Sequence, residues 1–332
     1  ANADVTVTVA AVNDVPTIAN LGSDSFTFTE GAAATVIDQS TAAVLADVDS
    51  SNFAGGNLTV TITSGEDSAE DVLSLSTSGT VALASASANA NVSVGNTVVG
   101  TLANAIAAGN DLVVNLNSAA TAASVQTLVR AITYQNTDTD NPTAGDRVVR
   151  VTVNDGDGGT SANANVTVAV AAVNDAPVVS GAGATLAYTE NASATVIDAS
   201  LTLSDVDSNN LTGATVTISG NFRSGGEDVL AFTAASGSNI TGSFNNSTGV
   251  LTLSGTTTKA LYEQTLESVT YQNTSDNPST SARTITWQVN DGSGANNLSS
   301  AVTSTVTVAA VNDVPVVSGA GATLAYTENA SA

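Results

Sequence analysis

The stretch ANVTVAVAAVNDAP, residues 164–177, alternates Val166 and Val168 with Thr and Ala, breaks at Asn174-Asp175 and ends on a proline. A period of two marks a half-buried β-strand, and Asn-Asp followed by Pro marks its end and a stiff turn. Residues 3–14, ADVTVTVAAVND, repeat the same pattern. VND, one residue and Pro occur together three times, ending at Pro16, Pro177 and Pro315, at intervals of 161 and 138 residues. The chain therefore reads as repeats of one β-unit.

The repetition continues outward from those prolines. Pro177–Ala194 reads PVVSGAGATLAYTENASA, and Pro315–Ala332 is identical. Glu30, Glu190 and Glu328 follow the three prolines at a nearly constant offset. DVDS recurs at Asp47 and Asp205, TYQNT around Tyr134 and Tyr271, and NDG at Asn154 and Asn290. Repetition on this scale is the mark of a tandem array. It divides the chain into residues 1–15, the last strand of a preceding repeat; 16–176, a repeat with an insertion; 177–314, a second repeat; and 315–332, the first strand of a following one. The insertion falls between Asp71 and Tyr134. The whole reads as a window within a longer array.

Alternation recurs at Leu58, Val60 and Ile62, at Val216 and Ile218, and at Val302, Val306 and Val308. The breaks between these runs are rich in Gly, Asn, Asp and Ser. Many short strands with such punctuation predict an all-β sandwich. One short helix per repeat is expected ahead of TYQNT. There Val125, Val129 and Ile132, and again Tyr262, Leu266 and Val269, fall at i, i+4 and i+7. Aromatics make up only 4% of the 332 residues, so the core is expected from Val, Ile, Leu and Ala.

Composition excludes several function classes. The chain has no Cys and no His, so it builds no disulfide, no Cys/His zinc site and no His-dependent nucleophile. Thirty acids against 6 Lys and Arg give a net charge of -24, which disfavours nucleic acid and anionic membrane surfaces. No apolar run approaches the ~20 residues of a spanning helix, so direct membrane insertion is not expected. An enzyme is not expected. Acid-rich surfaces remain suited to hard cations bound through oxygen.

The recurring acids are the candidates for that chemistry. They are Glu30 and Glu190; Asp47, Asp49, Asp205 and Asp207 in DVDS; Asn13, Asp14, Asn174, Asp175, Asn312 and Asp313 in VND; and Asp155 and Asp291 in NDG. In a strand, i and i+2 share a face, so a D-x-D pair at a strand end is expected to aim two carboxylates at one point. The same Asp and Asn residues are also common turn formers, and an acid-rich surface also suits a saline medium. The Glu66–Asp71 and Glu227-Asp228 segments are expected to be solvated loops.

Taken in order, Glu-Asn, D-x-D with Asn after it, Thr248–Leu251, NDG and VND-x-Pro resemble cadherin repeats. The closest likeness is to the cadherin-like tandem repeats of giant bacterial surface and adhesin proteins. The resemblance covers essentially the whole chain. It implies tandem Greek-key β-sandwiches of the cadherin/immunoglobulin-like kind, each with one short helix, and Ca²⁺ shared at each junction. Carried over by motif, the central junction would use Glu30, Asn174, Asp175, Asp205, Asp207 and Asp291, with a carbonyl from Asn209 or Asn210. The N-terminal junction would use Asn13, Asp14, Asp47, Asp49 and Asp155, and the C-terminal one Glu190, Asn312 and Asp313. The mid-domain Asp-Arg-Glu of cadherins has no counterpart here, which leaves the number of ions per junction open.

The expected role is a calcium-rigidified segment of a large extracellular or cell-surface protein, acting in adhesion or as a stalk. Its partners would be calcium, neighbouring repeats, other copies of itself or surface glycans. The alternatives are a self-assembling filament or surface-layer subunit and a carbohydrate-binding accessory module. The last needs an exposed aromatic platform or, for a glycosidase accessory, a catalytic carboxylate pair, whereas Trp287, the single Trp, sits in an alternating strand and reads as core.

Overall fold

The computed structural model describes residues 4–319, together with 321 and 328. It divides into two compact units, Ala1–Val173 and Asn174–Ala332. In the first unit the elements run β1 (Thr17–Ala19), β2 (Ser25–Thr29), β3 (Thr35–Val36), β4 (Val44–Ala46), β5 (Asn57–Ser64), β6 (Asp71–Leu75), β7 (Val81–Leu83), β8 (Asn91–Val94), β9 (Thr97–Leu102), β10 (Leu112–Leu116), α1 (Ala122–Arg130), β11 (Ile132–Asn136), β12 (Gly145–Asn154) and β13 (Ala164–Ala171). In the second they run β14 (Val178–Ser180), β15 (Thr185–Thr189), β16 (Thr195–Val196), β17 (Thr202–Ser204), β18 (Asn210–Gly220), β19 (Asp228–Ala231), β20 (Thr241–Asn245), β21 (Val250–Thr258), α2 (Lys259–Glu267), β22 (Thr270–Asn273), β23 (Arg283–Asn290) and β24 (Val302–Ala309).

Each unit is an all-β sandwich. The large sheet of the second unit is ordered β15-β24-β23-β18-β21-β20, and a three-stranded sheet is ordered β16-β22-β19. The first unit repeats this as β2-β13-β12-β5-β10-β9 with β8 and β7 added at the edge, and β3-β11-β6. The insertion is thus a strand pair that widens one sheet. The opening and closing strands β2 and β13, like β15 and β24, pair in parallel.

Alternation decides which side chains face inward. On β5, Leu58, Val60 and Ile62 are buried while Asn57, Thr59 and Thr61 are half-buried on the outer side. On β23, Arg283, Ile285, Trp287 and Val289 are buried. Trp287 is core, as its strand predicts, and its Nε1 donates to Ser304 Oγ at 3.0 Å. Aromatics are few but bridge the sheets edge to face: Phe28 with Tyr134 at 5.3 Å, Tyr188 with Tyr271 at 5.0 Å between ring centres. The helices are the expected crossovers, capped by Thr121 and Thr258, and they bury Val125 and Val129 in one unit, Tyr262 and Leu266 in the other. Ile132 falls past the first helix, as the opening residue of β11, and Val269 falls past the second, just before β22.

A buried ion pair also crosses each sandwich, and the structure corrects the solvated-loop reading at Asp71 and Asp228, while Glu66 is exposed in a loop as expected. Asp71 on β6 and Asp228 on β19 are buried. Arg147 on β12 donates through Nε to Asp71 Oδ2 at 3.0 Å, and Arg283 on β23 reaches Asp228 through Nε at 3.2 Å and Nη2 at 3.1 Å. The Tyr and Asn of TYQNT complete the cage: Tyr271 OH donates to Asp228 at 2.5 Å and Asn273 Nδ2 at 2.9 Å. The pair ties the small sheet to the large one in a chain that has no cysteine for a disulfide.

Residues 4–15 carry no strand, although their sequence matches that of β13. The reason is physical: β13 lies between β2 and β12, whereas Val5, Val7 and Val9 are exposed and have no flanking strand among the described residues. Of residues 315–332, 315–319 carry no strand, and most of the remainder lies outside the described residues.

Candidate metal centre

The DVDS turns build each site from the backbone upward. They begin directly after β4 and after β17, at the strand ends, and a turn rather than a pleated strand sets the positions of i and i+2. The first Asp instead folds the turn over itself. Asp205 Oδ1 accepts the amides of Asp207 at 3.3 Å and Ser208 at 2.9 Å, and Asp47 Oδ1 those of Asp49 at 3.2 Å and Ser50 at 3.0 Å. This is an Asx turn, and it leaves the second oxygen of the leading carboxylate free to point elsewhere.

The VND residues close on this turn in the same way in both units. In the second, Asp175 N donates to Asp207 Oδ2 at 2.9 Å, and Asn174 Nδ2 to Asp291 Oδ2 at 2.9 Å. In the first, Asp14 N donates to Asp49 Oδ2 at 3.0 Å, and Asn13 Nδ2 to Asp155 Oδ2 at 2.9 Å. VND, DVDS and NDG therefore meet at one end of each sandwich. The NDG Asp is the anchor: Asp155 is fully buried and Asp291 is 7% exposed. Burial raises the Asp155 carboxyl, yet Asn13 and the amides of Gly159 and Asp157 outweigh it and hold the group below its ordinary value.

The conserved-spacing glutamates take up a separate place. Glu30 N donates to Ala171 O and Glu190 N to Ala309 O, each at 3.0 Å, where the parallel strand pair ends. Glu30 Oε2 accepts the amide of Val173 at 2.7 Å. Glu190 is buried and its Oε2 has no hydrogen-bond partner. Asn312 and Asp313 are exposed, and Asn312 Nδ2 donates to Asp313 O at 3.0 Å.

Electrostatics at the second-unit turn are those of two acids held together. Burial and the facing Asp207 carboxylate push Asp205 up. Burial opposes ionisation of Asp207 too, but Asp205 and the Asp175 amide hold it below its ordinary value. Shielded oxygens without a hydrogen-bond partner include Asp205 Oδ2, Asp207 Oδ1, Asp175 Oδ2 and, in the first unit, Asp47 Oδ2. A shielded carboxylate oxygen with no donor is costly, and a hard cation is the partner that such a set of oxygens fits. Among the described residues no three acids converge closely enough to hold an ion by themselves. Asn side chains, backbone carbonyls or water would have to complete the shell. Lys259, the single lysine, was not foreseen here: its Nζ donates to Asp205 O at 2.5 Å.

The fold and these ends define a class: tandem β-sandwich repeats with an acid cap assembled at one end of each. No known family model matches the sequence. Over 112 residues, 33% of this chain, it is 39% identical to halomucin of Haloquadratum walsbyi, of which the match spans 1%. Among solved structures the chain is similar to mouse clustered PcdhgC3 domains EC1–3 (TM-score 0.33, 14% identity, 91% of this chain and 70% of that one). It is also similar to protocadherin gamma B7 extracellular cadherin domains 1–4 (TM-score 0.31, 13% identity, 91% and 53%). Drosophila N-cadherin EC1–3 gives a TM-score of 0.24 at 10% identity over 90% of this chain and 69% of that one.

Proposed function

We propose that this chain is a calcium-stiffened structural segment of a large extracellular protein, serving as a stalk or adhesive spacer and not as an enzyme. The observation that carries the reading is the pair of equivalent caps, in which shielded carboxylate oxygens of Asp47 in one unit and of Asp175, Asp205 and Asp207 in the other lack a donor. Calcium takes six to eight oxygens in a flexible shell, which suits Asp, Asn and carbonyl donors gathered by turns. In this reading Asn174, Asp175, Asp205, Asp207 and Asp291 hold one cluster of ions in the second unit, and Asn13, Asp14, Asp47, Asp49 and Asp155 hold the equivalent cluster in the first. Glu190, Asn312 and Asp313 contribute to a third. The ion supplies the positive charge that lets these carboxylates stay close together.

The test is small-angle scattering of the chain during a calcium titration, with sodium chloride matched for ionic strength. Calcium should raise the radius of gyration and sharpen the profile of a stiff rod. Sodium screens exposed charges and should not reproduce it. A profile indifferent to calcium, or one that sodium changes equally, would refute the stiffening role.

A further inference from the structure

The six strands of the large sheet in the second unit contain one charged residue, Arg283, and it is buried in the ion pair. This is notable in a chain of net charge -24. The outward positions carry hydroxyls and amides instead: Thr215 and Thr217 on β18, Thr252 on β21, Thr284, Thr286 and Gln288 on β23. A molecule lying on this face meets no ion.

The face is not flat. The register of β18 against β21 shifts between Leu211 and Gly213, and Gly213 presents no side chain opposite Asn290. Around that point opens a cavity of about 430 Å³, within the range of small-ligand sites. No Asp, Glu, Lys or Arg lines it. Its walls are amphipathic. Leu298, 48% exposed, supplies an apolar patch beside the hydroxyls of Thr215, Thr252 and Ser254, which make no hydrogen bond with the other described residues. Gln288 is held in place by donating from Nε2 to Ser299 O at 2.9 Å. The equivalent position in the first unit, opposite the Asn of its own NDG, is Asn57, whose side chain would fill such a space.

We propose that this cavity and the strand rows around it bind a neutral polysaccharide. An uncharged lining gives no counter-charge to a phosphate, sulfate, carboxylate or ammonium group. Free hydroxyls in rows about 4.8 Å apart match the hydroxyls at the edge of a sugar ring, and exposed Leu298, in place of an aromatic platform, offers the apolar surface for the C–H groups on its face. A second copy of the chain is a poorer occupant, because it brings 24 net negative charges with it. The inference does not depend on calcium, since no carboxylate lines the cavity.

The experiment is native affinity electrophoresis of the full chain through gels containing a soluble β-glucan, a mannan, a galactan or, as the anionic comparison, alginate. At least one neutral polymer should retard the chain, equally with and without chelator. Gly213→Asn, which installs the side chain found in the first unit, should weaken that retardation about tenfold. The new Cβ would lie 3.3 Å from Leu253 O, so folding is checked by Trp287 fluorescence. Thr215→Val with Thr252→Val, which suits a strand, should weaken binding as well. Retardation by alginate alone, no retardation by any neutral polymer, a dependence on calcium, or full binding by both variants would each overturn the proposal.

Discussion

Replacing Arg283 with Met tests whether the buried ion pair holds the second sandwich together. Asp228 is fully buried and receives Arg283 Nε and Nη2, Tyr271 OH, Asn273 Nδ2 and the amide of Arg223. Removing one member of a buried pair costs about 3–5 kcal/mol because the other charge stays behind. Three donors to Asp228 would survive, which places the loss near the lower end, about 3 kcal/mol. At a urea slope of about 2 kcal/mol/M, the unfolding midpoint should fall by about 1.5 M. Trp287 is the only tryptophan and lies on the same strand as Arg283, so its fluorescence reports this unit. Arg147→Met, in the other unit, is the control and should leave the Trp287 transition nearly in place. Asp228→Asn combined with Arg283→Met should recover part of the loss, since no unpaired charge remains and the Asn Oδ1 still accepts from Tyr271 OH and Asn273 Nδ2. A midpoint shift below about 0.5 M, or a double variant as weak as the single one, would refute this account of the pair.

Chelation should lower the melting temperature by several degrees, because an ion that binds only the folded state stabilises it by mass action; superimposable curves with and without chelator would contradict the cation reading. Asp205→Ala and Asp175→Ala should weaken calcium binding in a titration, while Asp67→Ala should leave it unchanged; equal behaviour of all three would show the ligand assignment to be wrong. Alkaline pH should destabilise the protein through its buried phenols. Burial pushes Tyr262 up to about 12, and burial with the Asp71 and Asp228 carboxylates raises Tyr134 and Tyr271 further. The fold therefore favours the neutral phenol, a contribution present below the ordinary value of about 10 and lost as pH rises through the folded values. A melting temperature flat across that window would exclude it.

The repeats, the strand alternation and the crossover helices were legible because each is written in local periodicity. The meeting of VND with DVDS and NDG was legible as recurrence: motifs that return in order in both halves share a structural reason. What periodicity does not carry is contact across the sandwich. Arg147 and Asp71 lie 76 positions apart, and neither is marked by its neighbours in sequence. A signal was present all the same, since Glu-Asp, TYQNT and an Arg on the following strand recur in the same order in both repeats. The D-x-D pairs do lie at strand ends, directly after β4 and β17, but a turn and not a pleated strand brings the two carboxylates together, with Asp47 and Asp205 each using one oxygen to hold that turn.

The placement of charge decides between two accounts of an acidic chain. If the acids served only to keep the protein dissolved in a saline medium, they would be needed where the protein meets water, and the broad outer faces of the sheets are the largest such surfaces. The six strands of the large sheet in the second unit carry no acid at all. Asp155, Asp205 and Asp291, by contrast, are buried, and a buried carboxylate adds nothing to solubility while it costs desolvation. Asp71 and Asp228 repay that cost with an arginine; the caps hold no arginine, and several of their oxygens have no donor. The cap oxygens without a protein donor are those of Asp47, Asp175, Asp205 and Asp207, and on the proposed reading a cation from outside the chain meets them. The same segregation leaves the large sheet of the second unit without an acid on any strand, which is what the proposed neutral ligand requires.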